Sequence, residues 1–417
     1  MIRPDLPEFT RIFGRIGVLS FGGPAAQIAL MHRELVKQRG WLSEQGFLRA
    51  LGLCMLLPGP EAMQLATYAG WRLRGTWGGL LAGLLFVLPG AVVIAVLALL
   101  YAVYGQLPPV QAAFVGIKAA VIVVVLQALT KVAGKALVGA EGAVLATLSF
   151  VALFVFGLPF PLIIVMAGLW GALRAGSAPA MTADPAQPMQ SSGARPLRVI
   201  FLWGALWAAP LVAVWLLDAA FLLEVGLFFS KLAMVTFGGA YAVLGYMTQT
   251  VVTDLGWITT EQMIDALGLA ETTPGPLILV TQFVAMLAGF VQGSLTNALA
   301  AGLVAIWVTF CPCFLWIFLA GPFLDRISTQ PRLSAALTAI TAAVVGVILN
   351  LSLWFALHVM FAEVGRRAPI ALPLPVWHSF DPVATLLIAV AAILMLRFNL
   401  GFVKSMIILA FAALALG

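Results

Sequence analysis

Apolar residues fall in long runs along this chain, and short polar or glycine-containing segments separate the runs. A helix needs about 20 apolar residues to cross the roughly 30 Å hydrocarbon layer of a membrane, and several of these runs are shorter than that. The runs lie at about residues 77–104, 110–130, 142–156, 161–173, 198–217, 297–320, 334–358, 383–396 and 402–417. Because backbone groups inside lipid must pair with one another, the pattern predicts an all-α polytopic integral membrane protein.

Two stretches of the chain carry the same motifs in the same order. An ungapped overlay of residues 14–60 on residues 230–276, an offset of 230 − 14 = 216, matches 15 of 47 positions. The repeated motifs are Ser20-Phe21-Gly22-Gly23, Gly40-Trp41 and Pro58-Gly59-Pro60 in the first copy, and Thr236-Phe237-Gly238-Gly239, Gly256-Trp257 and Pro274-Gly275-Pro276 in the second. We interpret the chain as a tandem duplication.

The segment between the copies is rich in Ala, Pro, Ser and Gln and has no apolar periodicity, which is typical of a flexible linker. We therefore expect a first transporter repeat at 1–175, a linker at 176–196, an unpaired transmembrane helix at 197–218 and a second repeat at 219–417. A single extra crossing between the copies inverts the second copy relative to the first.

Loop charges test this inversion, because Lys and Arg accumulate on the cytoplasmic side of a membrane. Residues 32–40 hold Arg33, Lys37 and Arg39, whereas the equivalent residues 248–256 hold only Asp254. Four of five pairs of equivalent loops differ in this way, and only the pair with Lys131 and Lys135 against Arg366 and Arg367 does not. The charges favour antiparallel halves. The basic N-terminal segment leaves open whether the Phe-Gly-Gly segments span the membrane or re-enter it.

Composition excludes a soluble globular protein, since 63% of the residues are hydrophobic, 9% are charged and the mean hydropathy is +1.09. The first residues lack an apolar core followed by a small-residue cleavage site, so we expect no cleaved signal peptide. Three cysteines are too few for a disulfide framework, and Cys311-Pro312-Cys313 favours a kinked helix over a metal site. We expect no metal and no cofactor.

The Phe-Gly-Gly and Pro-Gly-Pro motifs lie inside apolar stretches, where Gly and Pro interrupt helical hydrogen bonding. The segments around each Pro-Gly-Pro motif are too short to span, so each motif is predicted to be the tip of a re-entrant hairpin. These segments are 43–57 with 61–73, and 259–273 with 277–290. Broken helices in inverted repeats present half-helix N-termini to anionic substrates in many secondary transporters. The alternative is that the glycines only permit close packing and the prolines only kink.

Charged residues near these motifs are candidates for the transport chemistry. Arg15 and Lys231 occupy equivalent positions six residues before each Phe-Gly-Gly and are predicted to attract the anion, with snorkelling to the membrane surface as the alternative. Lys118 is expected to snorkel. Glu61 and Glu271 flank the Pro-Gly-Pro motifs and are candidates to carry a coupling proton, although Glu61 equally suits the first turn of its helix.

Hydroxyl groups at Ser20, Thr236, Thr272 and Thr273 suit the oxygens of an oxyanion. The alternative for each is a hydrogen bond to its own helix backbone.

These motifs, from Leu19-Ser20-Phe21-Gly22-Gly23-Pro24 through Gly40-Trp41 to Pro58-Gly59-Pro60 and the weaker second set, resemble the chromate ion transporter (CHR) family in its long two-domain form. The resemblance covers essentially the whole chain and implies a carrier of the bacterial inner membrane that exports chromate and gives chromate resistance, with sulfate as a competitor. The second copy departs from the pattern by having Ala240 where the first has Pro24.

We therefore predict a secondary transporter that moves chromate by alternating access between two inverted repeats. A carrier or channel for sulfate or another anion is the alternative. The predicted substrate-binding residues are Arg15, Ser20, Phe21, Gly22, Gly23, Pro58, Gly59, Pro60, Lys231, Thr236, Phe237, Gly238, Gly239, Thr272, Thr273, Pro274, Gly275 and Pro276. An enzyme is not expected, because the chain lacks His-Glu-x-x-His, Gly-x-Ser-x-Gly and phosphate-binding-loop motifs.

The expected partners follow from this reading. They are a chromate-like or sulfate-like dianion and the lipid bilayer, with no nucleic acid. A homodimer is left open by the sequence.

Overall fold

The computed structural model describes residues 4–175, 196–237, 239–324, 330–366 and 372–416. Within these residues the regular structure is almost entirely helical, which confirms the predicted all-α fold. Two short strands, β1 (Val364–Arg366) and β2 (Pro373–Pro375), pair antiparallel. Most of the predicted linker and Gly238, one of the predicted site residues, lie outside the described residues.

Helices occupy both halves of the sequence. In the first half they are α1 (Leu6–Leu19), α2 (Gly23–His32), α3 (Glu44–Leu56), α4 (Glu61–Tyr104), α5 (Pro108–Ala136), α6 (Gly139–Phe154) and α7 (Phe160–Arg174). In the second half they are α8 (Pro196–Leu216), α9 (Ala220–Val235), α10 (Ala240–Thr248), α11 (Thr260–Thr272), α12 (Val280–Val291), α13 (Leu295–Ala320), α14 (Pro331–Met360), α15 (Pro382–Ala392) and α16 (Phe402–Leu416).

Several helices are long and apolar enough to cross a membrane. They are Glu61–Tyr104, Pro108–Ala136, Pro196–Leu216, Leu295–Phe323 and Pro331–Met360. Further apolar helices, such as α6, α7 and α16, are shorter. The helix bounds follow the apolar runs of the sequence, so the prediction of a polytopic membrane protein is confirmed.

The duplication is visible in the local structure. Helices α3 and α11 have the same length of 13 residues and the same bounds after the offset, since 44 + 216 = 260. Both α2 and α10 continue into one wide π-helical turn, at Arg33–Gln38 and Gln249–Asp254. Equivalent sequences therefore form equivalent elements, including the irregular ones.

Helix α4, which begins directly after the first Pro-Gly-Pro motif, contains a sharp kink. Arg74 and Gly75 interrupt α4 with non-helical backbone angles, and Gly75 has a φ of 68°. The part of α4 before this kink has the bounds of the predicted short segment 61–73.

The described helices form two compact units, and each unit takes segments from both sequence halves. The first unit comprises residues within 1–98, 175–240 and 273–334, and the second comprises residues within 99–174, 241–272 and 335–417. In the first unit, α13 packs against α8, α9 and α12. Its buried side chains include Phe310, Phe314 and Phe318 on α13.

The core of the second unit forms around α5, which packs against α11, α15 and α16. Small residues allow the close approach of these helices. A Cβ atom on Gly116 of α5 would lie 2.2 Å from the carbonyl oxygen of Leu409 on α16, so only glycine fits there. Buried apolar side chains such as Val123, Leu387 and Met395 fill the space between these helices.

Candidate functional site

Each Phe-Gly-Gly motif separates two helices in the structure. The first break, residues 20–23, lies between α1 and α2, and Gly22 and Gly23 have φ values of 84° and 76° there. The second break, residues 236–239, lies between α9 and α10, and Gly239 has a φ of 98°. These left-handed angles favour glycine, which explains why the chain uses it at both breaks.

Each Pro-Gly-Pro motif forms a tight turn between two helices. The first turn, residues 58–60, joins α3 to α4, and Gly59 has a φ of 120°. The second turn, residues 274–276, joins α11 to a short 3₁₀ segment and α12, and Gly275 has a φ of 89°. The predicted helix breaks at both motif types are thus present in the structure.

The breaks and turns bond to each other across the two sequence halves. The backbone N–H of Gly59 donates to the carbonyl oxygen of Thr236 at 2.8 Å. The backbone N–H of Gly275 donates to the carbonyl oxygen of Ser20 at 2.9 Å. The same offset of 216 residues relates both donors and both acceptors, so each turn is bonded to the other half's break. We call this arrangement the crossing.

The side chain of Gln27 on α2 reinforces the crossing. It is 1% exposed, and its Nε2 donates to the carbonyl oxygens of Gly275 at 2.7 Å and Ser20 at 3.3 Å. One amide therefore holds the first break against the second turn. Sequence reasoning missed Gln27, although a lone amide in the otherwise apolar stretch of α2 was the available signal.

Two further buried glutamines hold backbone carbonyls in the same unit. Nε2 of Gln64 donates to the Pro58 carbonyl oxygen at 2.7 Å, and Nε2 of Gln282 donates to the Ala91 carbonyl oxygen at 3.0 Å. The Oε1 atoms of Gln27, Gln64 and Gln282 are buried without a hydrogen-bond partner among the described residues. A buried acceptor without a donor is costly, so each of these atoms is an unsatisfied polar group inside the first unit.

The start of α2 offers backbone N–H groups at the first break. The first N–H groups of a helix have no intrahelical partner, and no side chain caps this helix. Phe21 and Gly22, which precede it, are exposed, as is Ala25 in its first turn. The first break therefore presents unpaired donors, together with the positive end of a helix dipole, on an accessible surface.

The predicted hydroxyl groups lie in the breaks and turns, but their protons are used locally. Ser20, Thr236 and Thr272 donate to carbonyl oxygens three or four residues earlier in their own helices, at 2.5, 2.7 and 2.7 Å. Ser20, Thr236 and Thr273 are buried. The alternative predicted from the sequence, a hydrogen bond to the residue's own helix backbone, is therefore what Ser20, Thr236 and Thr272 form.

The predicted cations lie at equivalent positions on α1 and α9, and both are exposed. Arg15 Nη1 lies 3.9 Å from Oε1 of Glu34, a buried carboxylate that also accepts a 2.5 Å hydrogen bond from Arg39. Arg15 therefore belongs to an ion-pair cluster on the first repeat. Lys231 lies on α9, in the helix that leads to the second break.

The basic segment after α2 is partly neutralised by acids. Lys37 Nζ lies 3.3 Å from Oε2 of Glu44, and His32 hydrogen-bonds the other oxygen at 2.7 Å. The hydrogen bond from His32 lowers the pKa of the Glu44 carboxyl, which stays ionised to lower pH. The segment keeps an excess of positive charge, because Arg33, Lys37 and Arg39 outnumber Glu34 and Glu44.

The two predicted coupling acids have different surroundings. Glu61 is half-buried in the first turn of α4, where a carboxylate is favourable with the helix dipole. Glu271 is half-buried near the end of α11, and its Oε1 accepts a hydrogen bond from the Tyr241 hydroxyl.

Of the predicted site residues, the crossing brings together Ser20, Thr236 and both turns.

Comparison with known proteins identifies a family and several relatives of this chain. A family model described as "Chromate transporter" matches residues 7–172 and 223–417, which covers both repeats. The chain is 30% identical over 359 residues to "Probable chromate transport protein" of Synechococcus elongatus, covering 82% of this chain and 83% of that protein. It is 31% identical over 356 residues to "Chromate transport protein" of Pseudomonas aeruginosa, covering 82% and 79%.

A third relative, "Chromate transport protein" of Cupriavidus metallidurans, is 30% identical over 355 residues, covering 82% of this chain and 80% of that protein. No solved structure matches the chain significantly.

Proposed function

This chain belongs to the chromate transporter family, and from that premise we propose that it exports chromate from the cytoplasm across the bacterial inner membrane and thereby gives chromate resistance. It acts as a secondary transporter. Sulfate, a tetrahedral dianion like chromate, is the expected competitor. The names of the relatives, each a transport protein, support transport rather than enzymatic chemistry.

The observation that carries this proposal is the uncapped, accessible start of α2 at the crossing. A dianion leaving water needs hydrogen-bond donors and positive potential, and a helix N-terminus supplies both. Gly22 and Gly23 place no side chain between the backbone and a ligand. The N–H groups of Gly59 and Gly275 are already bonded in the crossing, so the turns serve to fix the breaks while the breaks bind the anion.

The remaining predicted site residues have secondary roles in this proposal. Arg15 and Lys231 are exposed one to two turns before the breaks and add positive potential along the approach. Phe21 and Phe237 flank the glycines, and Pro24 follows the first pair. Glu61 and Glu271 remain candidates for a coupling proton.

The two repeats, 1–175 and 219–417, are proposed to have opposite orientations, and the helix at 197–218 supplies the extra membrane span between them. The reversed loop charges support this arrangement. Reciprocal bonding of breaks and turns supports alternating access, because a movement of either repeat acts on the binding elements of both.

The membrane potential alone is sufficient to drive export of a dianion. Moving one charge through 100 mV is worth about 2.3 kcal/mol, so two charges gain about 4.6 kcal/mol, or a gradient of about three orders of magnitude. An inside-negative potential pushes chromate outward.

The first test is uptake of labelled chromate into inside-out membrane vesicles that contain this protein. Saturable uptake that excess sulfate inhibits, and that an imposed potential accelerates, is the expected result. Uptake that does not saturate would identify a channel. Absence of uptake above empty vesicles would remove chromate as the substrate.

A charge placed at the start of α2 tests the binding element itself. We expect Ala25→Asp to reduce chromate uptake at least about tenfold, because a carboxylate there repels the dianion and competes for the same N–H groups. Folding is not expected to suffer, since Asp is favourable in the first turn of a helix. Ala29→Asp, at an exposed position one turn later, is the matched control. Equal uptake by the two variants would contradict the site.

A further inference from the structure

The second unit contains a buried acid that the proposed anion site does not use. Asp265 on α11 is 4% exposed. Helix α11 approaches α5 closely there, because a Cβ atom on Gly268, one turn later, would lie only 2.5 Å from Cγ2 of Ile117. This approach brings Lys118, the next residue on α5, to Asp265.

The two oxygens of Asp265 have different partners. Oδ2 accepts a hydrogen bond of 2.7 Å from the Tyr101 hydroxyl. Oδ1 lies 3.6 Å from Lys118 Nζ, beyond a normal hydrogen bond, and is buried without a hydrogen-bond partner among the described residues. The expectation that Lys118 snorkels to the membrane surface is therefore wrong, because its side chain is only 18% exposed and faces a carboxylate.

Other ionisable groups lead from this pair toward the surface. Glu261, one turn earlier on α11, is exposed and interacts electrostatically with both Lys118 and His358. Helix α16 also packs on α11, and its charged residue Lys404 is exposed. A chain of ionisable side chains thus extends from Glu261 inward to Asp265.

His358 also lines a small cavity in the same unit. The cavity has a volume of about 80 Å³, and its lining includes the polar residues Thr248, Gln249 and Asn350 beside apolar residues such as Leu153 and Phe154. The Thr248 hydroxyl is buried without a hydrogen-bond partner among the described residues. A cavity of this size with several polar groups in its lining is large enough to hold water.

Packing does not require this pair. Replacing a buried ion pair with apolar residues is often neutral or stabilising, and an ionisable residue among membrane helices is by default a functional candidate. The first repeat has Arg49 at the position equivalent to Asp265, since 265 − 216 = 49. The acid therefore belongs to the second repeat alone.

We propose that Asp265, rather than either of the candidates Glu61 and Glu271, is the proton-binding site of the transport cycle, with Lys118 and Tyr101 holding its carboxyl. This inference rests on the proposed function as a carrier. A proton from hydronium adds to Oδ1 and leaves water, so the Asp265–Lys118 pair changes from neutral to a net charge of +1. The attraction between α11 and α5 is then lost. Because α11 continues directly into the second Pro-Gly-Pro turn, its movement is transmitted along the chain to the crossing.

The experiment uses the full-length protein in proteoliposomes and two readouts. Exchange of labelled sulfate for sulfate or chromate requires the carrier but no net proton movement. Net anion transport with a pH-sensitive dye reports the protons that move with the anion. We expect Asp265→Asn to keep exchange within about threefold of wild type and to lose the anion-linked proton movement.

Tyr101→Phe is the second variant, because it keeps the carboxyl and removes one donor to its ionised form. We expect it to retain proton movement and to shift the midpoint of the pH profile of net transport upward by about one unit. Glu261→Gln, at an exposed position, is expected to slow proton movement and to shift that midpoint downward, because it removes a negative charge that acts on Asp265.

The inference is overturned if Asp265→Asn retains anion-linked proton movement, or if net anion transport by wild type moves no protons. It is also overturned if Tyr101→Phe leaves the pH profile unchanged. Absence of exchange by wild type would instead overturn the proposed carrier function, and the proton site with it.

Discussion

Gly90→Ala is expected to reduce chromate transport about a hundredfold and to lower the free energy of unfolding by about 1–3 kcal/mol. Gly90 lies in α4, directly after Pro89. A Cβ atom there would lie 2.1 Å from the carbonyl oxygen of Pro274 and 2.7 Å from Cδ1 of Leu279. Leu279 can change rotamer, but the Pro274 carbonyl is backbone, so the second Pro-Gly-Pro turn must move.

A displaced turn breaks the crossing. Gly275 follows Pro274 directly, and its N–H bond to the Ser20 carbonyl tolerates little movement from its present 2.9 Å. The first break then loses one of the bonds that fix it. Transport is therefore expected to fall further than the loss of stability alone explains.

Gly204→Ala is the matched control for this variant. Gly204 lies in the membrane-crossing helix α8 of the same unit, and no atom lies within 4 Å of its added Cβ. Transport per molecule and thermal unfolding in detergent are measured on the same preparations. If Gly90→Ala and Gly204→Ala had equal transport and equal stability, the second turn would not require this close approach.

Local patterns account for the part of the fold that the sequence predicted. Apolar runs set the spans, and Gly and Pro set the breaks, because both act within one or two helical turns. The repeated motifs at one offset gave the duplication, and π-helical turns at equivalent positions show that even irregular structure follows the local sequence.

Long-range pairing accounts for the part that the sequence did not predict. Gln27 holds Gly275 across 248 positions of the chain, and Tyr101 holds Asp265 across 164. No periodicity relates such residues, since only the packed fold brings them together. The same limit applies to the compact units, each of which combines segments from both halves.

The position of Arg15 shows a related limit. The sequence predicts that Arg15 attracts the anion, and this stays a prediction. In the structure Arg15 lies near the carboxylate of Glu34. Glu34 is buried in the same repeat, fourteen residues after Ser20 of the first break. Charge type was readable from the sequence, but the partner of each charge was not.

Substitution of Gln27 is expected to have a graded effect that identifies its role as a donor. Both neighbours of its Nε2 are carbonyl oxygens, so only an N–H group suits this position. Gln27→Met keeps the size and removes the donor, which leaves the Gly275 carbonyl without its closest side-chain donor and costs about 1–3 kcal/mol. Gln27→Glu replaces the donor with a buried carboxylate facing two acceptors, which costs more.

Transport is therefore expected to decrease from wild type to Gln27→Met to Gln27→Glu, with the Glu variant essentially inactive at neutral pH. A protonated carboxyl has an O–H donor that can face one carbonyl, so activity of the Glu variant should recover partly as pH falls. The Met variant has no titratable group and should not recover. A variant that is inactive only because it fails to fold would show no such recovery.

Gln111, whose exposed Nε2 donates to Oε1 of Gln106 at 2.9 Å, provides the control position. Gln111→Met and Gln111→Glu are expected to transport as wild type does, because an exposed amide exchanges its partner for water at little cost. The measurement is chromate uptake per molecule across a range of pH, with thermal unfolding of each variant in detergent. Wild-type uptake by Gln27→Met at neutral pH would contradict the donor role, since that variant has no group that can donate to the Gly275 and Ser20 carbonyls.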